Sequence, residues 1–195
     1  MTVTTVTAYG QTLDADATPQ QVAFVLMRSL RDDVEAAQAH DRKAQREAFR
    51  TTFALAACSM IDERLAETYA RPVADSDASE PIVMKERVYE IVNHWAPIVA
   101  YYVGSFPRDF EQAADRMRVV KIGPDDGTAM VLYPVQHDPD QAAHGEPVLL
   151  EIELVKESAT DGPQRFWRVA RVAFRGPMPT VVGPTESPVP ATNAP

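Results

Sequence analysis

The apolar period of this sequence changes once, near residue 116, and that change limits the fold more than any motif does. Before it, apolar residues recur at spacings of three and four, as on one face of a helix; after it, they fall into short runs broken by turn residues. Helices first and strands afterwards, with short connections between the strands, predict a segregated α+β domain. Its helices should pack on one face of an antiparallel sheet.

The helical part begins at TPQQ. Thr18 is placed to cap, Pro19 suits the first helical position, and Gln21 stands three residues after Thr18 as a capping box requires. Val22, Val25, Leu26, Leu30 and Val34 then form one stripe, which predicts a surface helix with a single buried face. The polar stretch QAHDRKAQRE predicts either a solvated extension or a break near His40 and Asp41. A second helix, carrying Phe49, Phe53, Leu55, Ala56, Met60, Ile61 and Leu65, is expected to run to about Thr68. A third falls within residues 82–106, with Pro97 as a kink or restart because proline lacks an amide donor. FPRDFEQAADR should add a short helix or turn with Phe106 and Phe110 turned inward.

Four strands are expected after that, over residues 116–123, 128–136, 148–157 and 165–174, as a meander. Pro134 marks an edge or a bulge in the second. In the fourth, RFWRVARVAF, Trp167, Val169 and Ala173 share one parity while Phe166, Ala170, Val172 and Phe174 share the other. This strand should therefore be apolar on both sides, against the helices on one and a partner subunit or the chain's own tail on the other. Arg165, Arg168, Arg171 and Arg175 are expected to pair with Glu151, Glu153 and Glu157 across the hairpin.

Three segments follow: residues 1–17 as a flexible, Thr-rich arm with a short strand at TVTTVTAY; residues 18–175 as one domain; and residues 176–195 as a disordered tail holding six prolines without PxxP spacing.

The net charge is −9 and the pI about 4.9, which sets the chain against nucleic acid and against anionic membrane surfaces. The N-terminus carries neither the basic nor the long apolar region of a secretory signal, and no apolar run approaches a membrane span. A cytoplasmic location is expected. Cys58, the sole cysteine, lies in an apolar helical run and reads as an inert buried thiol.

This order of elements resembles the NTF2-like superfamily, which includes the ketosteroid isomerase and SnoaL-type families. TPQQVAFVLMRSL as an opening helix, WAPIVAYYVGSF before the sheet, and the pair PVLLEIELVKES and QRFWRVARVAF carry the resemblance, together with Trp167 and Val169 as a terminal W-x-V strand. It covers residues 18–175 and implies a cone, in which helices cover the concave face of a curved antiparallel sheet. It also implies that the sheet's exposed face can pair subunits. An isomerase of that kind needs a carboxylate base with a phenol and a neutral acid as oxyanion donors. Tyr101, Tyr102 and Asp115 are the nearest residue types, but they sit in no recognisable motif, so the catalytic roles are not carried over.

The remaining candidates are Trp95, Tyr102 and Trp167 as the walls of a pocket for a small apolar ligand, with His94 and Tyr101 beside them. No metal site is expected. HDPDQAAH, with His137, Asp138, Asp140 and His144, reads as a polar loop. DSDASEPIVMKE has the carboxylates of a calcium loop but Glu80 where glycine is needed. There is no phosphate-binding glycine loop, nucleophile elbow, HExxH or CxxC, and no cofactor is implied. Functionally, the sequence favours a non-enzymatic binding or assembly module that forms a homodimer through its sheet. One alternative is a small-molecule enzyme with a pocket under the third helix; another is a scaffold acting through its proline-rich tail.

Overall fold

A computed structural model of the chain describes residues 5–57, 99–121, 126–135, 148–159 and 163–175. In the described residues the chain is α+β, with a four-stranded antiparallel sheet and a separate two-stranded hairpin. Two long helices lie between them in sequence: α1 (Pro19–Gln38) and α2 (Arg42–Leu55).

The short strand expected within TVTTVTAY is present, but as part of a packed hairpin and not of a flexible arm. β1 (Val6–Ala8) pairs antiparallel with β2 (Gln11–Leu13) through a two-residue turn. Val6 and Leu13 are buried in the core, as is Ala17 just beyond. Both turn residues are left-handed, Tyr9 at φ 52° and Gly10 at φ 75°. Glycine takes this conformation freely, whereas tyrosine does so at a cost. Three contacts offset that cost. The Tyr9 ring meets Phe24 edge-on at 6.5 Å, Arg28 lies 5.1 Å over its face, and its hydroxyl donates to Asp32.

α1 begins as the sequence predicts. The Thr18 hydroxyl accepts from the Gln21 amide at 3.3 Å, and the Gln21 side chain accepts from the Thr18 amide at 2.7 Å, which closes the capping box. The single-stripe reading of this helix is corrected. Phe24, Met27, Ser29, Arg31, Asp33 and Ala36 are buried alongside the stripe, because α1 has neighbours on most sides. It packs against β4 and β6 of the sheet, against α2, against β2 and against the short helix α3 (Phe110–Arg116). A polar pair joins α1 to α2, with the hydroxyls of Ser29 and Thr52 2.8 Å apart.

The break between α1 and α2 falls where the polar stretch places it. His40 is left-handed at φ 56°, and the Asp41 carboxylate accepts from the Lys43 and Ala44 amides, both at 3.0 Å, to start α2. At its other end α2 stops at Leu55, not near Thr68. Ala56 is extended, and the Ala57 amide donates to the Val169 carbonyl at 2.9 Å, a parallel bridge to the sheet. FALAAC holds no helix breaker, so this stop is tertiary: a sheet edge takes over the backbone. Of the third predicted helix, residues 99–102 are described as helical and Val103–Ser105 form a 3-10 turn; Pro97 lies outside the described residues. Asp109 caps α3, Phe106 is buried, and Phe110 meets Phe24 at 5.5 Å.

The main sheet is β3 (Arg118–Lys121), β4 (Thr128–Val135), β5 (Val148–Ser158) and β6 (Arg165–Arg175), hydrogen-bonded in that order. All four stand within two residues of the predicted runs. Ala129, Val131, Tyr133 and Val135 of β4 face Leu154, Ile152, Leu150 and Val148 of β5, and all are buried on the side that α1 covers. Burying a valine, leucine or isoleucine in this way contributes about 1.5–3 kcal/mol each. The alternate residues point to the other side, the outer face.

β6 departs from its predicted pattern in an informative way. Ile152 pairs with Val172 and Glu153 with Arg171, but Leu154 pairs with Val169, so Ala170 has no partner on β5. This β-bulge switches parity within the strand. Trp167 and Val169 before it, and Val172 and Phe174 after it, all fall on the inner side. These four apolar residues thus share one face, while Phe166, opposite Glu157, keeps the outer parity and is buried there.

Candidate functional site

The outer face of the sheet gathers charge in its middle. Glu151 and Glu153 stand two apart on β5. Arg171 and Arg175 stand on β6, displaced past the bulge to the same face. Arg171 Nη2 lies 2.8 Å from Glu153 Oε1 and 3.8 Å from Glu151 Oε2; Arg175 Nε lies 2.8 Å from Glu151 Oε1. The result is a ladder of two carboxylates against two guanidiniums. The pairing expected from sequence therefore holds for Arg171 and Arg175. Arg165 donates to the Lys156 carbonyl at 3.1 Å. Arg168 donates to the Trp167 carbonyl at 3.0 Å and stacks over Phe166.

The two glutamates differ in setting. Glu151 is buried although it faces away from α1. Glu153 is partly open, and its hydrogen bond from Arg171 holds its carboxyl below the usual carboxylate range. The half-buried apolar residues Met130 and Leu132 of β4, and Leu149 and Val155 of β5, surround the ladder at alternate positions.

Of the residues predicted to line a pocket, Tyr101, Tyr102 and Trp167 are among the described residues. Tyr102 is buried and stacks on Phe174 at 6.2 Å with 19° between the rings. Burial raises its phenol above the ordinary value. Tyr101 meets Tyr102 edge-on at 4.8 Å and is partly exposed. Trp167 lies seven residues back along β6, about 20 Å of strand away. Lys156 sits 4.9 Å over its ring. His94 and Trp95 lie outside the described residues, as do Cys58, the stretches DSDASEPIVMKE and HDPDQAAH, and residues 176–195.

Three polar groups inside the fold escaped the sequence reading. Tyr133 is fully buried and donates its hydroxyl to the Ser105 carbonyl at 2.8 Å, which ties the sheet to the turn before α3. Arg31 is buried, donating to Glu35 and to the Phe106 carbonyl, both at 2.7 Å. Asp33 is buried with the Gln45 side chain as its hydrogen-bond partner, and desolvation raises its carboxyl pKa despite that bond. The Arg31–Glu35 pair is an i,i+4 contact that helical spacing allows. The Ser105 and Phe106 carbonyls and the Gln45 side chain lie on other elements, and local spacing carries no signal of them.

Among the described residues no group of three or more His, Cys, Asp or Glu side chains is placed to hold a metal ion. No described helix is long and apolar enough to cross a membrane. Comparison with protein-family models, curated proteins and solved structures finds no match for this chain.

Proposed function

We propose that this chain is a non-enzymatic binding or assembly module of the NTF2-like kind, pairing with a second copy of itself through the outer face of its sheet. The observation that carries the reading is the ladder of Glu151 and Glu153 against Arg171 and Arg175, set among Met130, Leu132, Leu149 and Val155. An acidic column on one strand beside a basic column on the next is self-complementary. A two-fold axis across the face brings the acidic column of one copy toward the basic column of the other. The apolar residues around the ladder supply the area that such a contact buries.

The order of helices and then an antiparallel sheet, with one face under α1, supports the superfamily reading as an architecture. The described candidates lend the enzyme alternative no support: Tyr102 stacks on Phe174 near one end of β6, and Trp167 lies beneath Lys156 near the other.

The test is Leu132→Glu, which places a charge in the apolar part of the outer face without touching the inner core. The expected result is a dimer for the native chain and a monomer for the variant, with unchanged circular dichroism. A native monomer, or a variant that still dimerises, would overturn the reading.

A further inference from the structure

Val119 at 40% exposure and Val120 at 46% are, with Tyr101, the exposed large apolar residues among those described, and they are adjacent on β3. β3 is an edge of the main sheet: β4 lies on one side, and no strand among the described residues lies on the other. Alternate residues of such a strand aim their amide and carbonyl away from the sheet. Val119 faces Val131 and so belongs to the inner parity, while Val120 faces Met130 and belongs to the outer. A strand laid along this edge meets one valine on each face.

The ends of β3 are basic in a chain of net charge −9. Arg118 is exposed and makes no ion pair among the described residues, and Lys121 closes the strand. Charge on a short edge strand is a common guard against unwanted pairing. A guard accounts for Arg118 and Lys121, but it does not account for two exposed β-branched residues between them, which favour strand addition. A second copy is a poor occupant. Antiparallel self-pairing that faces Val119 with Val120 sets Arg118 opposite Lys121 at both ends, like charge against like.

We propose that β3 is the docking edge for an extended acidic segment of a partner protein, which joins the sheet beside it with carboxylates opposite Arg118 and Lys121 and β-branched residues opposite the valines. This edge is separate from the outer face.

The test is fluorescence polarisation of the full chain with two labelled peptides, one with the core Glu-Val-Ile-Glu and one with Lys-Val-Ile-Lys, at low ionic strength. The native chain is expected to prefer the acidic peptide by about tenfold, since two cross-strand attractions replace two repulsions. Arg118→Glu should cut that preference about fivefold with unchanged circular dichroism. The amides of residues 118–121 should exchange more slowly when the acidic peptide is present. Four results would each overturn the proposal: no binding up to about 1 mM peptide, equal affinity for both peptides, a preference that Arg118→Glu leaves alone, or protection that appears elsewhere. Self-association abolished by Arg118→Glu would assign the edge to a second copy and overturn it equally.

Discussion

Arg171 reaches Glu153 at 2.8 Å across the β5–β6 pair because one residue, Ala170, bulges out of the strand between Arg171 and Val169. Without the bulge, the strand could not keep Trp167 and Val169 inside together with Val172 and Phe174. The ladder on the outer face and the filled inner face are thus two consequences of one local irregularity.

Deleting Ala170 should therefore cost more than an ordinary alanine loss. Either the Trp167 end or the Phe174 end of β6 must turn its apolar residues to the outer face. The expected effect is about 4 kcal/mol or more, or failure to fold. Urea denaturation checks it, with Ala170→Gly as the control that keeps the residue count and should lose about 1 kcal/mol or less.

The ion pair itself should contribute little. Both side chains are partly exposed, at 30% and 51%, and exposed pairs are screened by water. A double-mutant cycle on Glu153→Gln and Arg171→Gln should give a coupling of about 0.5 kcal/mol at low salt, smaller at high salt. The pH dependence follows from the lowered Glu153 pKa. Its contribution is present above the unfolded carboxylate value and fades as pH falls through the folded one.

Asp33 should act in the opposite sense. Burial raises its folded pKa above the unfolded value, so its favourable contribution is complete below the unfolded pKa and is lost as pH rises through the folded one. Asp33→Asn keeps a side chain able to hydrogen-bond with Gln45 and removes the buried charge. The variant should be more stable than the native chain at neutral pH, with the difference shrinking in acid. Thermal melts from pH 4 to pH 8 follow this window.

At the hairpin, Tyr9→Ala keeps the left-handed backbone strain and loses the ring contacts with Phe24 and Arg28 and the bond to Asp32. A loss of about 2 kcal/mol is expected. Tyr9→Asn loses the same contacts but suits the left-handed turn, so it should lose less than the alanine variant. The opposite ranking, read from urea midpoints, would contradict the account of this turn.

These residues also mark where sequence reading succeeds and where it stops. Thr18, Pro19 and Gln21 act through their immediate neighbours, and the start of α1 was legible from them; at His40 and Asp41 the polar composition left a break and a solvated extension equally open. The four strands were legible from turn chemistry and length. The end of α2 was not, because Leu55 and Ala56 are good helix formers, and only the edge of β6, more than a hundred residues away, draws Ala57 into the sheet. Tyr9 concealed its turn because a tyrosine at a left-handed position is unusual. The bulge at Ala170 was visible only as conflicting parities, which a two-faced strand explains equally well. For the candidate site, the Arg–Glu pairing across β5 and β6 was legible from charge on adjacent strands. That Arg171 stands opposite Glu153 was set by the bulge.

The account rests most directly on the mass of the native chain in solution. Multi-angle light scattering on the full chain, over a wide concentration range, should give twice the 21.5 kDa of one copy, dissociating only on dilution. A mass of one copy at every concentration would contradict the claim that the outer face of the sheet is an assembly surface.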